Sequence, residues 1–350
     1  MGPESSVRTL AERVVEDVGG AFTVGLAYLG DKLGLFAALA AHAPITSADL
    51  ARRAGLDERY VREWLNAMVA AGYIEHQPEG ATYAMTPEQA GVLADEGGRL
   101  FAAGAFTFAL ESLMLTSRLA GAFRHGGGIP FDELPAAIPG AIDRMHRPWF
   151  EHLLVQEWIA AVPELAQRLT RGARILDVGC GLGRSTMAMA RAFPASAFLG
   201  IDPHAPSIQR AHEQAAQDNV RNLSFAAVPV DALEADAFDL IVAIDCVHDM
   251  ADPVGALRGM RDLLALGGQL FWSEPTGSRD PLQNRNPYGR LRASLSPFHC
   301  LPVSMAGGGA ALGTIIGEAG ARDLARQAGF SRFDKVPIAS PAQQFFLLSA

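Results

Sequence analysis

The stretch at residues 174–186 constrains the fold of this chain more than any other. An apolar run ends in Asp177, and glycine then occupies every second position, at Gly179, Gly181 and Gly183. A helix-forming run follows. This order is typical of a strand, a tight turn and a helix, the first crossover of a nucleotide-binding α/β sheet. Glycines permit positive φ angles and let backbone N–H groups approach a ligand closely.

The spacing of the glycines distinguishes this turn from a dinucleotide fingerprint. It reads Asp-x-Gly-x-Gly-x-Gly, whereas Gly-x-Gly-x-x-Gly would require a glycine where Arg184 stands. A second apolar run, at residues 198–202, ends in Asp202, which suits a ribose diol. The two acids therefore predict a nucleoside-binding turn.

These residues resemble the first two motifs of class I S-adenosylmethionine (SAM)-dependent methyltransferases. The resemblance implies an α/β fold with a Rossmann-like seven-stranded methyltransferase sheet, and SAM as cofactor with S-adenosylhomocysteine as product. The methionine half would lie over the glycine turn and the ribose hydroxyls on the second acid. The cofactor-binding residues implied are Asp177, Gly179, Cys180, Gly181, Gly183, Asp202, Pro203, Asp231, Ala232, Asp245 and Cys246. A doubly wound domain that binds another nucleotide is the alternative.

A second segment that indicates function follows the apolar strand predicted at residues 238–244. It contains His248 and Asp249. Open α/β sheets place their chemistry at the carboxyl ends of strands. The pair is similar to the His-Asp pair of winged-helix O-methyltransferases that act on phenolic and polyketide substrates. The resemblance implies that His248 is the general base for an acceptor hydroxyl, with Asp249 or Glu274 supporting its ring. The alternative is a strand-end histidine bonded to the backbone.

Three positions depart from the pattern of those O-methyltransferases. Ile315 stands near the place of an acid before the last helix, Ile244 replaces a lysine, and Met250 replaces a tryptophan. These departures leave the SAM site intact. They bear on the His–acid mechanism, so methyl transfer to nitrogen or carbon stays open beside transfer to a hydroxyl group.

The N-terminal region reads as helices followed by a helix-turn-helix and a β-ribbon. Residues 22–39 are apolar nearly all round, which is typical of a helix buried against another surface, and this predicts a homodimer through the N-terminal helices. Helices at residues 47–55 and 58–71 and a ribbon at residues 73–85 look like a winged helix. The predicted domains are 1–95 (winged helix and dimerisation), 96–170 (helical linker and substrate roof) and 171–350 (SAM-binding methyltransferase domain).

The winged helix raises DNA binding as an alternative function. The would-be recognition helix is charge-balanced, with Glu58, Arg59, Arg62 and Glu63, and the chain of 350 residues carries a net charge of −9. A phosphate-binding surface requires a concentrated positive field, so this balance argues against nucleic acid as a partner. The predicted partner is a small-molecule acceptor. The other candidate functions are a SAM-sensing regulator and a SAM-bound enzyme that catalyses a rearrangement without methyl transfer.

Candidate substrate-binding residues come from two segments. Trp149 and His152 lie just upstream of the first strand, and Tyr288 and His299 lie in a segment at residues 275–313 that lacks regular patterning. Such segments are usually lids or linkers. Arg285, Arg290 and Arg292 of this segment are expected on a solvated lid surface, and contact with an acidic group is the alternative.

The remaining features exclude several classes of protein. Three cysteines at no metal-ligand spacing predict neither a disulfide framework nor a metal site. No secretory signal is visible, and the apolar run at residues 100–110 is too short to cross a bilayer. The sequence therefore predicts no membrane association and a cytoplasmic protein.

Overall fold

The computed structural model describes residues 3–233 and 237–350, with side chains from residue 8 onward. The chain forms two compact units. Residues up to Glu111 together with Arg144–Pro148 form the first unit, and Ser112–Asp143 together with Trp149–Ala350 form the second. The segment 96–170 thus contributes to both units, and the three-domain division with boundaries at 95 and 170 stays a prediction.

The first unit consists of helices and a small antiparallel sheet. In chain order its elements are α1 (Pro3–Lys32), α2 (Leu35–His42), β1 (Ile45–Thr46), α3 (Ser47–Ala54), α4 (Glu58–Ala70), β2 (Glu75–Gln77), β3 (Thr82–Ala84) and α5 (Pro87–Leu93).

The helix-turn-helix of this unit is fixed by its caps and its core. The hydroxyl group of Thr46 accepts from the Asp49 N–H at the start of α3, and Asp57 caps α4. Trp64 is buried on the inner face of α4, and its Nε1 donates to the Leu26 carbonyl oxygen at 2.9 Å. The small sheet has the order β1-β3-β2. The predicted winged helix is confirmed.

The N-terminal half of α1 exposes apolar side chains in the single chain. Val15 is 71% exposed and Phe22 is 74% exposed, and these residues lie seven positions apart on one helix face. Among the described residues, no single helix has the length and apolarity of a membrane span. α1 and α2 meet such a criterion only when they are joined across a 69° bend.

The helical segment that precedes the large sheet contains no strand among the described residues. Its elements are α6 (Gly104–Leu113), α7 (Thr116–His125), α8 (Ile138–Pro148), a π-helix (Trp149–Ile159) and α9 (Pro163–Arg171).

The large sheet and its helices follow in an alternating order. In chain order they are β4 (Arg174–Val178), α10 (Arg184–Ala192), β5 (Ala197–Ile201), α11 (Ala205–Gln217), β6 (Leu223–Ala226), β7 (Phe238–Ile244), α12 (Pro253–Asp262), β8 (Leu264–Pro275), α13 (Pro287–Leu295), α14 (Cys300–Ala306), α15 (Gly317–Gln327), β9 (Arg332–Val336) and β10 (Gln343–Ser349).

Within the described residues the sheet has seven strands in the order β6-β5-β4-β7-β8-β10-β9. β4 to β8 run parallel, and β10 is antiparallel to both β8 and β9. The predicted Rossmann-like sheet of seven strands, with its terminal hairpin, is confirmed. Because strands β5, β4, β7 and β8 are neighbours, residues that follow their carboxyl ends are brought to one edge.

Apolar side chains cover both faces of the sheet. On one face Trp158 of the π-helix packs on Phe345 with ring centroids 4.8 Å apart. On the other face Trp272 packs on Phe346 with ring centroids 5.6 Å apart. Adjacent residues of β10 thus pack in opposite cores, so the central strands beneath the site are covered on both faces.

The segment at residues 275–313 differs from the sequence expectation. It contains α13 and α14, and Asn286 caps α13 by accepting from the Gly289 N–H at 2.9 Å. Arg292, expected on a solvated surface, is buried and donates to the carbonyl oxygens of Thr276 and Ala342. The expectation for Arg292 is therefore wrong, because carbonyl oxygens of the β8 and β10 ends take up its guanidinium donors.

Candidate active site

The turn after β4 has the backbone geometry that the glycine spacing predicted. The φ angle is +71° at Gly179, +53° at Gly181 and +76° at Gly183. A Cβ atom at Gly183 would come within 2.5 Å of the Phe225 ring, so this glycine permits close packing of α10 on the sheet. A Cβ atom at Gly181 would meet no heavy atom of the described residues within 4 Å. The turn therefore forms an open cradle at Gly181.

The Asp177 carboxylate ties this turn to the following helix. Asp177 is 1% exposed, and its Oδ2 accepts from the hydroxyl groups of Ser185 and Thr186, each at 2.6 Å. Burial raises the pKa of Asp177 to about 6. The carboxylate thus holds the end of β4 against the first turn of α10, and a direct contact with a cofactor stays a prediction.

This raised pKa gives a pH-dependent stability that Asp177→Asn removes. Because the folded-state pKa, about 6, lies above the ordinary value of 3.8, the folded state binds the proton more tightly. The stabilising contribution is complete below about pH 4 and is lost as the pH rises through about 6, a change on the order of 3 kcal/mol. An asparagine carbonyl oxygen accepts from both hydroxyl groups without a buried charge. We expect urea unfolding to show that the free energy of unfolding of Asp177→Asn minus that of wild type increases as the pH rises from 4.5 to about 7.5.

The exposed acid Asp218 supplies the control for that measurement. Asp218→Asn removes a surface carboxylate that pairs with Arg191, so it shows how much of the pH dependence a surface acid accounts for. A difference between Asp177→Asn and wild type that stays constant over the pH range would contradict the prediction.

Asp202 lies directly after β5, at the rim of the cradle. Its Oδ2 accepts from the Gly181 N–H at 3.0 Å, and its Oδ1 accepts from the His204 N–H at 2.8 Å. Burial raises the pKa of Asp202. Two backbone donors fix the orientation of this carboxylate, and each oxygen retains a lone pair for a further donor such as a hydroxyl group.

Three other predicted cofactor residues are exposed. Pro203 follows the second acid, and Asp231 and Ala232 lie in a short 3₁₀ helix, Val230–Ala232, after β6. All three belong to the ends of strands on the cradle side of the sheet. Their contacts with a cofactor stay predictions.

The end of β7 supplies the wall of the cradle beside β4. Asp245 has a left-handed backbone with φ of +56°, and the Cys246 Sγ donates to the Val178 carbonyl oxygen at 3.3 Å. A Cβ atom at Gly179 would come within 2.8 Å of the Cys246 Cβ. Burial raises the pKa values of the Cys246 and Cys180 thiols, so both stay protonated and unreactive.

His248 lies in a 3₁₀ helix, Val247–Asp249, that follows β7, and it is 3% exposed. Its Nδ1 contacts the Glu274 Oε2 at 2.6 Å, and Trp272 Nε1 donates to the Glu274 Oε1 at 2.8 Å. Trp272 and Glu274 share one face of β8, since side chains two positions apart in a strand point the same way. Burial would lower the pKa of His248, but the charge of Glu274 and the contact with Cys300 raise it well above its usual value.

Asp249, the other predicted partner of the histidine, is half-buried, and burial raises its pKa to about 7. The contact at Nδ1 of His248 is made by Glu274. The geometry therefore favours Glu274 over Asp249 as the residue that orients the imidazole ring.

The other ring nitrogen contacts a residue that the sequence did not point to. His248 Nε2 lies 3.3 Å from the Sγ of Cys300, a buried residue at the start of α14. Thr314 Oγ1 donates to the same sulfur at 3.0 Å. No sequence pattern links these residues, because Cys300 lies 52 positions from His248 in a segment without regular spacing. Trp272, by contrast, could have been identified from the sequence, because it lies two positions from Glu274 in β8 and therefore on the same face of the strand.

The predicted roof residues Trp149 and His152 lie on the π-helix. Trp149 packs beside Trp158 with ring centroids 6.2 Å apart. Arg184, the first residue of α10, forms ion pairs with Asp143 and with Glu151 on the π-helix. The π-helix is thus tied to the helix that begins at the cradle, and an acceptor-binding role for Trp149 and His152 stays a prediction.

The two predicted substrate residues of the later segment differ in burial. Tyr288 is exposed on α13, and the Arg292 guanidinium lies over its ring at 5.5 Å. His299 is buried directly before Cys300, and its ring lies edge-on to Phe131. Phe131 also packs edge-on against His204, so one phenyl ring links the two sides of the site. Sequence patterns gave no sign of Phe131.

Comparison with protein-family models assigns two parts of the chain. Residues 20–95 match an Rv2258c-like winged HTH domain, and residues 169–298 match a methyltransferase domain. The two matches correspond to the helix-turn-helix with its ribbon and to the parallel part of the large sheet.

Among curated proteins, the chain is 33% identical over 135 residues to the ubiquinone biosynthesis O-methyltransferase of Acinetobacter baumannii (strain ACICU). The match covers 37% of this chain and 52% of that protein, so the chain spans about half the length of the curated relatives it matches.

Two solved structures have the same fold over nearly the whole chain. A putative O-methyltransferase from Nostoc punctiforme is 20% identical, with a TM-score of 0.74 and 98% of each chain covered. Human N-acetylserotonin methyltransferase in complex with SAM is 16% identical, with a TM-score of 0.74 and 97% of each chain covered. At these identities the likeness is one of fold.

Proposed function

Because the chain carries a winged helix-turn-helix domain ahead of a methyltransferase domain with the class I SAM-dependent fold, we propose that it transfers a methyl group from SAM to a hydroxyl group of a small molecule. The observation that carries this proposal is the pairing of the buried His248 with Glu274 at the carboxyl ends of β7 and β8. These strands are neighbours of β4, which ends in the cradle. A proton-accepting nitrogen and a nucleoside-binding turn thus belong to one edge of the sheet.

The residues of the cradle fit SAM. The free space at Gly181 admits a ligand against the backbone, and the Asp202 carboxylate beside it has acceptor capacity for the two ribose hydroxyl groups. When bound, SAM supplies a methyl group on a positively charged sulfur, which makes the carbon open to attack by an oxygen nucleophile.

The residues of the chain then have separate tasks in the reaction. Because the pKa of His248 is raised, the ring acts as a base only in the fraction of molecules in which it has lost its proton. In this neutral form it donates through Nδ1–H to Glu274 and uses the lone pair of Nε2 to take the acceptor's hydroxyl proton. Glu274 stabilises the imidazolium that results, and Trp272 keeps the Glu274 carboxylate in position. Holding the acceptor oxygen in line with the methyl group supplies the remaining acceleration.

The test is methyl transfer by the purified chain from methyl-labelled SAM to a panel of phenolic and polyketide hydroxyl compounds. We expect labelled product and S-adenosylhomocysteine in equal amounts. Product formed without S-adenosylhomocysteine would instead support a rearrangement in which SAM is not consumed.

A DNA-binding regulator remains the alternative from another class. On α4, the Arg59 guanidinium pairs with Glu63, and that of Arg62 pairs with Glu58 at 2.7 Å. Internal pairing leaves little positive field for phosphate groups. A SAM-dependent mobility shift of DNA at low salt would favour the regulator over the enzyme.

We also propose that the chain forms a homodimer through α1. Leaving Val15 and Phe22 in water is unfavourable, and burying such side chains stabilises by about 1.5–3 kcal/mol each. We expect light scattering of the wild-type chain to give twice the mass of one chain, and the double variant Val15→Asp, Phe22→Asp to give a single chain. Tyr60→Asp, at an exposed aromatic residue of α4, is the control and leaves the mass unchanged. A monomeric wild-type chain would overturn this proposal.

A further inference from the structure

Three side chains at the end of β7 and the start of α14 bring metal-binding atoms together. The ligand atoms of His248, Asp249 and Cys300 all lie within 4.8 Å of one another. His248 and Cys300 are buried and Asp249 is half-buried, so bulk water has little access to the cluster. Imidazole, thiolate and carboxylate are all ligands of zinc in proteins.

The distance between the ligand atoms of His248 and Cys300 agrees with a tetrahedral metal ion. With Zn–N and Zn–S bonds of ordinary length, two neighbouring ligand atoms lie about 3.6 Å apart. His248 Nε2 and Cys300 Sγ lie 3.3 Å apart. An ion would therefore require these two side chains to separate by only a few tenths of an ångström, a shift within the range of small side-chain rotations.

Both ligands also have the supporting contacts that metal sites have. The other nitrogen of His248 is hydrogen-bonded to Glu274 at 2.6 Å, which is the carboxylate–histidine arrangement typical of zinc ligands. The sulfur of Cys300 accepts from Thr314 Oγ1 at 3.0 Å, a contact that stabilises a thiolate. The Glu274 contact directs the Nε2 lone pair toward Cys300.

We propose that His248, Asp249 and Cys300 form a binding site for a thiophilic divalent metal ion, Zn²⁺ in particular, with a fourth position open to water or a small ligand. Binding forms metal–nitrogen and metal–sulfur bonds, and it releases to solvent the thiol proton and, from the imidazolium form, the Nε2 proton. A neutral imidazole, a thiolate and a carboxylate balance the two positive charges of the ion, which suits a buried position. A second grouping, Asp245, His248 and Glu274, also brings ligand atoms within 4.8 Å of one another, but it lacks sulfur.

The consequence of binding rests on the proposed function. An ion on Nε2 occupies the atom that takes the acceptor's proton, so Zn²⁺ inhibits methyl transfer and a chelator restores it. Binding itself is independent of activity and is therefore the property to measure.

The experiment is titration of the reduced, metal-free full chain with Co²⁺, followed by Zn²⁺. We expect one Co²⁺ per chain, with a thiolate-to-cobalt charge-transfer band in the near ultraviolet and intense visible bands of tetrahedral Co²⁺. Zn²⁺ then displaces Co²⁺ and removes both signals. Cys300→Ser abolishes the charge-transfer band and weakens Zn²⁺ binding at least 10-fold, whereas Cys180→Ser, at another buried cysteine, retains the band.

A second variant distinguishes the loss of a metal ligand from a loss of folded structure. Asp249→Asn keeps the sulfur, so it retains the charge-transfer band and weakens Co²⁺ binding about 10-fold. The absence of a band in the wild-type chain, or a band that survives in Cys300→Ser, would overturn the proposal. Neither result bears on SAM binding or methyl transfer, so failure of this site and failure of the proposed function are distinguishable.

Discussion

Replacing His248 with alanine is expected to lower kcat for methyl transfer by about 10²–10⁴-fold, the contribution typical of a positioned general base. The buried imidazole is held by Glu274, and its Nε2 points to the side on which α14 begins. Without it, the acceptor hydroxyl must release its proton to solvent during the reaction. The KM for SAM is expected to change little, because the polar groups of the cradle, at Gly181 and Asp202, follow β4 and β5.

The measurement is single-turnover formation of S-adenosylhomocysteine with a saturating acceptor. Glu274→Gln keeps the shape of the supporting side chain and removes its charge, so we expect it to lose less activity than His248→Ala, but more than Asp249→Asn. His125→Ala, at an exposed histidine of α7, is the matched control with unchanged kcat. If His248→Ala retains most of the activity, proximity dominates catalysis, and the acceptor is a carbon or nitrogen nucleophile rather than a hydroxyl group.

The second large effect is expected at the cradle. Asp202→Ala removes a carboxylate that two backbone N–H groups hold at the rim of the turn. Hydrogen bonds to a charged group contribute about 1.5–3 kcal/mol each, so losing two ribose contacts corresponds to a Kd for S-adenosylhomocysteine raised about 100-fold or more.

Calorimetric titration with S-adenosylhomocysteine measures this change. Gly181→Ala is the companion variant, because its Cβ atom would enter the free space of the cradle without contacting the described residues, apart from the cost of a positive φ. We expect it to weaken binding while the unfolding midpoint falls only slightly. Unchanged affinity in both variants would place the nucleoside elsewhere and remove the basis of the proposed methyl transfer.

How much of the site the sequence predicts depends on the distance over which its contacts form. The turn at Gly179, Gly181 and Gly183 was predictable because one local backbone path, with positive φ at each glycine, follows from the spacing. Likewise β7 was predictable to the residue, since a continuous β-branched and aliphatic run between turn signals permits one assignment. The prediction of β7 also placed His248 correctly, at the carboxyl-end edge of the sheet.

The helices at residues 275–313 could not be predicted in this way. Their stability comes from contacts with distant parts of the chain, such as Arg292 with the carbonyl oxygens of Thr276 and Ala342. Short helices have little stability of their own, and tertiary packing decides whether they form. The hydrophobic periodicity of residues 275–313 therefore did not indicate these helices.

The sequence by itself determined the class of sheet, the order of cradle and base along the chain, and the residues that follow each strand. The tertiary structure alone decided that Glu274 rather than Asp249 contacts Nδ1 of His248, and that Cys300 approaches Nε2. The physical reason is that side-chain partners are selected by the packing of neighbouring strands and of α14, which join residues 26 and 52 positions away from His248. Local sequence patterns do not specify contacts between residues so far apart in the chain.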